Sequence, residues 1–243
     1  MRGRCDDISM HSILNDKEVV FFDVGHTIDM PASGDWRLTK KFYEIAGNSL
    51  EGLPGSLVDG ALKTAGDYLA ANHLCKTEEE EFDRFYEYFR IISEALGLGI
   101  TDDKIREIAY DHTYNMDNYV IYPDAKYVIE TLSHNYRLGI ISDTWPSIGN
   151  QLRSLDVLRF FSFTTYSFEL GVFKPDRKMY LDALSKCGCK AEKTVFIDDV
   201  LVNLEGAAEF GITPVLIAAN PASDVETDFL KIHSLSELLG KEK

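Results

Sequence analysis

The sequence predicts an α/β protein whose open parallel sheet is interrupted, directly after its first strand, by an all-helical insertion. Short apolar runs alternate with segments of helical period in the later part of the chain, which is typical of right-handed βαβ units. The long segment that follows the first apolar run contains helical patterns only. With 243 residues, the chain is long enough for one large domain that carries such an insertion.

Five apolar runs predict the strands of the sheet. The first, at 18–24, is apolar almost throughout and ends abruptly at Asp23-Val24-Gly25, which is typical of a strand buried on both faces. The other runs lie at 137–141, 161–166, 194–197 and 213–217. Segments of helical period lie between them, such as those at 125–134 and 177–186.

The helical insertion is predicted over 30–118, which leaves 1–29 and 119–243 for the α/β part. Its clearest helix begins at Thr77, which forms a capping-box pattern with Glu80, and continues with apolar residues at i, i+3 and i+4 spacing. The acidic run at 78–81 lies in the first turn of this helix. Because the helix macrodipole favours acidic residues there, we interpret the run as helix-start residues rather than metal ligands.

The charge balance excludes two classes of partner. The chain has 40 acidic and 25 basic residues and a formal net charge of −15, so it lacks the basic face that a nucleic acid or an anionic membrane surface requires. No apolar run approaches the roughly 20 residues that span a bilayer, and a cytoplasmic protein is expected. The four cysteines are too scattered for a disulfide framework and are expected to be reduced thiols, namely Cys5, Cys75, Cys187 and Cys189.

Polar residues stand at or just beyond the ends of four predicted strands. In an open α/β sheet the ligand crevice lies beyond the carboxyl ends of the strands, so we expect these side chains to lie close together. They are, in chain order, Asp23, Ser142 and Asp143, Lys174, and Asp198 and Asp199.

This set of side chains has a chemical logic. Several carboxylates together favour a hard cation, and Mg²⁺ prefers a few carboxylates, water and substrate phosphate oxygens as ligands. Lysine and hydroxyl donors would hold the remaining oxygens of that phosphate. Asp23, at the end of a rigid strand, is placed to act as a nucleophile.

Four segments of the sequence carry a family resemblance. They are FFDVGHTI, IISDTWPS, ELGVFKPDRKMY and TVFIDDVLVNLEGAAEFG, and they resemble, in this order, the four motifs of the haloacid dehalogenase superfamily. The resemblance extends over the chain from about Glu18 and implies a Rossmann-like core with a parallel sheet. The helical insertion is similar to the cap of the subgroup that contains dehalogenases, phosphoglycolate-type phosphatases and phosphonatases. Because most of the superfamily are phosphatases, the resemblance implies a Mg²⁺-dependent phosphatase acting on a small phosphorylated metabolite.

The resemblance also implies the roles of the reacting residues. Asp23 would attack phosphorus and become a transient aspartyl phosphate. Ser142 and Asp143, with neighbouring main-chain amides, would bind the transferring phosphoryl group. Lys174 would offset the charge on Asp23 and on the phosphoryl oxygens.

The metal ligands follow from the same resemblance. Mg²⁺ would be held by Asp23, by the main-chain carbonyl of Gly25 and by the acidic pair after the fourth strand. Within that pair, Asp199 is expected to bind the metal directly. Asp198 is expected to act through a water molecule or through contacts with the direct ligands. Thr27 matches the threonine that braces the first motif.

The sequence departs from the family pattern at Gly25. Phosphatases of the superfamily usually have Asp-x-Asp-x-Thr, in which the second aspartate protonates the leaving group and then activates water. Glycine in this position keeps the carbonyl that binds the metal but removes the proton carrier. A positioned acid or base contributes roughly 10²- to 10⁴-fold to a rate.

Three replacements for the missing proton carrier are open at this stage. His26 or Asp29 of the same loop could carry the proton, since histidine titrates near neutral pH. The substrate could instead have a leaving group that needs little protonation, such as an acyl phosphate. The insertion could also supply the group, and its candidates are His73, Asp111, His112 and Asp117.

The departure also opens other activities. A phosphate-binding regulator with little catalysis would keep the phosphate site without the proton carrier. A phosphonatase would need a Schiff-base lysine from the cap, for which Lys63 is the candidate. A dehalogenase needs no metal, which fits poorly with the acidic pair. Trp145 is expected to contact the substrate, and the linkers near Met30 and Asn118 are expected to be hinges.

Overall fold

The computed structural model describes residues 14–240 of the chain. Cys5 and the outer ends of the predicted α/β part lie outside the described residues. The other three cysteines are free thiols. Among the helices between residues 14 and 240, none combines the length and the apolar character needed to cross a bilayer.

The described part of the chain contains eight strands. Their bounds are β1 (Val19–Phe22), β2 (Asp29–Pro31), β3 (Tyr119–Ile121), β4 (Arg137–Ser142), β5 (Phe161–Tyr166), β6 (Thr194–Asp198), β7 (Thr213–Ile217) and β8 (Leu230–Ile232). All five predicted strands are present within a residue or two of their predicted bounds. Because β1 already ends at Phe22, Asp23 lies just beyond it, at the edge of the sheet.

Nine helices complete the described residues, apart from short 3₁₀ turns. Their bounds are α1 (Lys40–Ala46), α2 (Gly55–Ala71), α3 (Glu78–Ala95), α4 (Asp102–Tyr114), α5 (Ala125–Ser133), α6 (Ile148–Ser154), α7 (Ser167–Leu170), α8 (Arg177–Cys187) and α9 (Leu201–Ala208). The predicted start of α3 is confirmed, since the hydroxyl of Thr77 accepts a hydrogen bond from the amide of Glu80.

Six strands form one parallel sheet in the order β5-β4-β1-β6-β7-β8. β1 lies inside the sheet between β4 and β6, and its four side chains are fully buried. Successive side chains of a strand point to opposite faces. Val20 and Phe22 accordingly pack in the cluster that includes α5 and α6, whereas Val19 and Phe21 pack in the cluster with α8 and α9. The predicted parallel α/β sheet, covered on both faces, is thus confirmed.

Helices α1 to α4 have a hydrophobic cluster of their own. Phe42, Phe89, Ile92 and Ile108 are completely buried at its centre. The rings of Phe42 and Phe89 stack with centroids 5.8 Å apart. The aromatic stripe predicted on α3 therefore serves mainly as packing for this second cluster.

The prediction that 30–118 contains helices only is wrong at its first residues, which belong to β2. β2 and β3 pair antiparallel, with Met30 opposite Val120, so the two expected linkers lie side by side as a ribbon. This pairing satisfies the main-chain groups of two neighbouring passes of the chain. Three-residue strands are too short to show an alternating pattern in the sequence, which is why the ribbon was not predicted.

Gly139 in β4 allows the aromatic rings beneath the sheet to approach the backbone. A Cβ atom at this position would lie 2.3 Å from Cε2 of Phe163 and 2.8 Å from Cδ1 of Phe21. We expect Gly139→Ala to lower the free energy of unfolding by about 1–3 kcal/mol in urea titrations, because both rings must shift. Gly60→Ala, in an open exposed position of α2, is the matched control and should raise it by about 0.5–1 kcal/mol. Equal effects of the two variants would contradict this packing.

Candidate active site

The structure brings the predicted polar residues together at the carboxyl edge of the sheet. Asp23 follows β1, Ser142 ends β4, Asp199 follows β6, and Lys174 lies between α7 and α8. With Asp143, Gly25 and His26, they line one cavity of about 360 Å³. Only Asp198 of the predicted set is set back from the cavity wall, since it is fully buried.

Lys174 is the electrostatic centre of the site. Its Nζ atom donates to Oδ1 of Asp23 at 2.6 Å and to Oδ2 of Asp198 at 2.7 Å. Burial alone would lower the pKa of Lys174, but the surrounding Asp198, Asp23 and Asp143 carboxylates raise it above its ordinary value. Lys174 therefore stays charged, and it is the only Lys or Arg side chain that is buried within residues 14–240.

Asp198 and Asp199 have different surroundings although they are adjacent. Besides Lys174, Asp198 accepts hydrogen bonds from the amide of Val200 at 2.7 Å and from Nδ2 of Asn203 at 3.1 Å. Asp199 accepts one from the hydroxyl of Ser223 at 2.8 Å and lines the cavity. Asp198 is thus enclosed by donors, whereas Asp199 faces the space where a ligand would sit. Neither Asn203 nor Ser223 was predicted, because nothing local in the sequence marks these contacts.

The acidic cluster holds more negative charge than its lysine balances. Asp23, Asp198 and Asp199 each offer a carboxylate oxygen within 4.8 Å of the others. Burial raises the pKa of Asp23, and Asp198 and Asp199 raise it further, against the lowering effect of Lys174. Three carboxylates against one ammonium leave two formal negative charges. This donor set fits a hard divalent cation with oxygen ligands.

Asp143 acts on Lys174 from the other side. Its Oδ1 atom accepts a hydrogen bond from the main-chain amide of Lys174 at 2.9 Å. Burial raises the pKa of Asp143, and Lys174 partly opposes that effect. The Asp143 carboxylate therefore fixes the segment that carries Lys174, which links the end of β4 to the loop before α8.

The loop after β1 turns sharply around Gly25 and His26. His26 has a left-handed backbone with φ of 54°, and its amide donates to the carbonyl of Asp29 at 2.7 Å. Trp36 covers the loop, and a Cβ atom at Gly25 would lie 3.2 Å from Cζ2 of its indole. The indole thus lies in tight contact with the position that a Cβ atom of residue 25 would take.

His26 has no ring nitrogen open to the cavity. Its Nε2 atom accepts a hydrogen bond from Nε1 of Trp36 at 2.8 Å, so the proton of the neutral ring is on Nδ1. Nδ1 is buried and has no partner within residues 14–240. This geometry gives no support to His26 as the proton carrier.

Asp29 is fully buried beside the ribbon. Its Oδ2 atom accepts a hydrogen bond from Nε2 of Gln151 at 2.6 Å. Burial raises the pKa of Asp29 to about 7, and the hydrogen bond from Gln151 partly opposes the rise. Asp29 is not among the residues that line the cavity, so it cannot reach a bound ester directly.

Of the four candidates from the insertion, only His112 lines the cavity, where its ring stacks on Phe85. His73 is buried and bonded to the hydroxyl of Ser167 at 2.7 Å. Asp111 accepts hydrogen bonds from two nearby asparagines, and Asp117 is exposed. Burial lowers the pKa of His112 to about 4, so its ring is neutral at physiological pH.

Glu81 is a cavity residue that the sequence analysis missed. It is fully buried, lines the cavity, and accepts hydrogen bonds at 2.7 Å from both the amide and the hydroxyl of Ser147. The residue belongs to the first turn of α3, as predicted for the run at 78–81, but its side chain also reaches the cavity wall. Glu81 lies four residues before Phe85 and thus on the buried face of α3, a signal that the sequence did contain.

Two further residues, Lys63 and Trp145, were predicted from the sequence. Lys63 is exposed on α2 and pairs with Asp67 at 2.6 Å, outside the cavity. Trp145, for which substrate contact is predicted, lines the cavity, and its ring packs edge-on against Phe85. The structure thus places no second lysine in the cavity wall among the residues it describes.

Comparison with known proteins identifies the family. The model of the family described as haloacid dehalogenase-like hydrolase matches residues 60–217. The chain belongs to this family. As a haloacid dehalogenase-like hydrolase, it carries the polar residues at the same edge of the sheet that the motifs indicated.

This hydrolase is similar in sequence to a phosphatase and in fold to proteins of known structure. A glyceraldehyde 3-phosphate phosphatase of Methanocaldococcus jannaschii is 28% identical over 196 residues, which are 76% of this chain and 83% of the relative. A 2-haloacid dehalogenase of Pseudomonas syringae pv. Tomato DC3000 has a TM-score of 0.60 at 20% identity, covering 92% of this chain and 96% of the other. A HAD phosphatase of Thermococcus onnurineus has a TM-score of 0.54 at 21% identity, covering 91% and 95%. At these identities the two structures show the shared fold.

The buried carboxyl of Glu81 should make the stability of this hydrolase depend on pH. Burial raises the pKa of Glu81 to about 8 against the lowering effect of Ser147, so the folded state keeps a proton that the unfolded chain releases near pH 4.5. The free energy of unfolding should therefore fall as pH rises from about 4.5 to about 8.

Glu81→Gln should reduce this fall by on the order of 2 kcal/mol between pH 5 and pH 8, as measured by urea unfolding at each pH. Glu79→Gln, at an exposed position of the same helical turn, is the control and should leave the pH profile as it is. Identical pH profiles of the native protein and Glu81→Gln would show that Glu81 is ionised in the folded state.

Proposed function

We propose that this hydrolase is a Mg²⁺-dependent phosphatase that cleaves a small phosphorylated metabolite through an aspartyl phosphate on Asp23. The observation that carries the proposal is the buried contact of Lys174 with Asp23 at the floor of the cavity, beside Asp199. The relative named glyceraldehyde 3-phosphate phosphatase supports phosphate ester chemistry, and its substrate is the first to test.

The proposal includes a division into two domains. Residues 1–29 and 119–243 would form the core, and 30–118 the helical cap. The separate hydrophobic cluster of α1 to α4 supports this division, and the β2–β3 ribbon lies at the proposed boundary. Cavity residues come from both parts, so a bound substrate would be enclosed between them.

The proposed first step is an in-line displacement at phosphorus. A carboxylate oxygen of Asp23 forms the new P–O bond, and the ester P–O bond breaks with its electron pair on the leaving oxygen. The Lys174 ammonium and the Ser142 hydroxyl would bind the non-bridging oxygens. The Asp143 side chain accepts a hydrogen bond from the main-chain amide of Lys174 and so fixes that segment. The main-chain amide of Asp143 would donate to the phosphate.

Mg²⁺ would be held by Asp23, Asp199 and the main-chain carbonyl of Gly25, with Asp198 behind them. When bound, the cation offsets the charge of the phosphate and of the nucleophile. The enclosure of Asp198 by Lys174, Val200 and Asn203 supports its place behind the direct ligands. The two uncompensated negative charges of the cluster support a divalent rather than a monovalent ion.

The first loop of this site has no side chain that is placed to protonate the leaving group. Gly25 supplies no carboxylate, and His26 is held by Trp36. Leaving groups that depart without protonation should therefore react fastest. Hydrolysis of the aspartyl phosphate should be slow, because no group in the loop is placed to activate water.

The absence of a placed proton carrier also fits one alternative function, that of a phosphate-binding regulator. A phosphate-binding regulator would keep Lys174 and the acidic cluster and tolerate the absence of a proton carrier. Retention of Asp23, buried beside Lys174, favours the phosphatase, since a binding site has no need of a nucleophile. Phosphonatase chemistry lacks its lysine here, because Lys63 is exposed outside the cavity.

Phosphate release from p-nitrophenyl phosphate tests the proposal, since this leaving group departs without an acid. We expect turnover with Mg²⁺ and a loss of at least about 10³-fold in Asp23→Asn, which removes the nucleophile. EDTA should abolish turnover. Asp117→Asn, an exposed carboxamide replacement in the insertion, is the matched control and should retain full activity.

Turnover that persists in EDTA would refute the metal assignment, and equal activity of Asp23→Asn and the native protein would refute the nucleophile. Silence of the native protein, together with phosphate binding by calorimetry, would favour the regulator. Glyceraldehyde 3-phosphate and acetyl phosphate extend the panel to an alkyl ester and an acyl phosphate.

The position of Trp36 predicts how far a restored aspartate can help. In Gly25→Asp the Cβ atom of the new side chain presses against the indole, and either the indole or the carboxylate must shift. We therefore expect kcat for an alkyl ester to rise only a few-fold, whereas a well-placed acid can give roughly 10²- to 10⁴-fold. Gly25→Asp combined with Trp36→Leu should give about tenfold more than Gly25→Asp alone. Trp36→Leu by itself is the control. A full gain in the single variant would show that Trp36 does not block the position.

A further inference from the structure

We propose that this site selects phosphate monoesters whose leaving group is uncharged, so that the phosphate is the only anionic group of the substrate. The inference rests on the proposed phosphatase function and adds the substrate class to it. It depends on the outer part of the cavity, the part away from Asp23 and Lys174.

Four aromatic side chains line the outer part of the cavity. They are Trp36, Phe85, Tyr119 and Trp145. An aromatic face carries the negative part of the ring quadrupole, so it attracts apolar and cationic groups and disfavours anions. This wall suits a small, flat or weakly polar leaving group.

The cavity wall provides no cation for a second anion. Lys174 is the only Lys or Arg among the lining residues, and its ammonium is already shared by Asp23 and Asp198. His112 is neutral because burial lowers its pKa to about 4. The ring nitrogens of His26 are occupied or buried.

The polar groups of the outer wall are acceptors or neutral donors. Glu81 contributes a carboxyl group to the wall, and this group accepts hydrogen bonds from the amide and the hydroxyl of Ser147. Gln151 and His112 also line the cavity and are neutral. A hydroxyl or carbonyl group of a substrate can hydrogen-bond to such groups. A carboxylate or a second phosphate would lose its hydration without an opposite charge, which is costly.

The size of the cavity agrees with a small leaving group. Its volume of about 360 Å³ lies near the lower end of the range of about 300–1,000 Å³ that ligand cavities occupy. The phosphate and its cation would take the floor of this space. The rest accommodates a leaving group of a few carbon atoms or one ring.

Matched pairs of esters test the inference with the native protein and Mg²⁺. The first pair is glyceraldehyde 3-phosphate and 3-phosphoglycerate, which differ in an aldehyde against a carboxylate. The second pair is phenyl phosphate and 4-carboxyphenyl phosphate. We expect kcat/KM for the uncharged member to exceed that for the carboxylate by at least about 30-fold in each pair. The carboxyphenolate is the better leaving group, so a preference for phenyl phosphate would run against intrinsic reactivity.

An engineered cation should reduce the selectivity. Trp36 is 37% exposed at the edge of the cavity, so Trp36→Arg introduces a charge without burying it completely. In this variant we expect the preference for the uncharged member to fall by about tenfold or more. Trp36→Leu removes the same indole without adding charge, and it should keep the preference.

The outcomes separate this inference from the proposed function. Equal kcat/KM for both members of each pair would overturn the inference while leaving the phosphatase intact. A preference that falls equally in Trp36→Arg and Trp36→Leu would also overturn it, because shape rather than charge would then explain the selection. If the protein hydrolyses neither p-nitrophenyl phosphate nor a single one of the four esters, both the proposed phosphatase function and the inference are refuted.

Discussion

The contact of Lys174 with Asp23 and Asp198 is the interaction on which the site depends. Placing charged groups in a protein interior carries a large desolvation cost, which is offset only where partners and hydrogen bonds are closely placed. The adjacent strands β1 and β6, paired through Phe22 and Ile197, deliver the two carboxylates to one point of the sheet edge. Asp143 fixes the lysine from the third side. The excess negative charge that remains makes this point suitable for a divalent cation.

Segment 30–118 forms several hydrogen bonds with the elements around this point, and two of its contacts bear on the loop after β4. Glu81 holds Ser147, which directly precedes α6. The ring of His73 is hydrogen-bonded to the hydroxyl of Ser167. The same hydroxyl accepts a hydrogen bond from the main-chain amide of Thr144, in the loop after β4. Both contacts reach the loop that presents Ser142. A movement of segment 30–118 away from the sheet would therefore disturb the loop that follows Ser142 as well as open the cavity.

The sequence predicted the sheet because buried parallel strands leave long apolar runs, and it predicted the floor of the cavity because Asp23, Ser142, Lys174 and Asp199 follow those runs. It did not predict the β2–β3 ribbon, whose strands are too short for a pattern. Nor did it predict that Trp36 covers Gly25. That contact joins a loop of the insertion to the first motif, and only the packing of the folded chain determines it. Apart from Trp145, the aromatic residues of the outer wall were missed for the same reason.

The most direct test of the central claim is chemical trapping of the aspartyl phosphate. The native protein would be mixed with Mg²⁺ and acetyl phosphate and quenched with borohydride, which reduces an acyl phosphate to an alcohol, and its peptides would be analysed by mass spectrometry. The account predicts homoserine at position 23, in high yield because Gly25 leaves the hydrolysis of the intermediate slow. Phosphate release without homoserine at position 23, or with homoserine at another carboxylate, would contradict it.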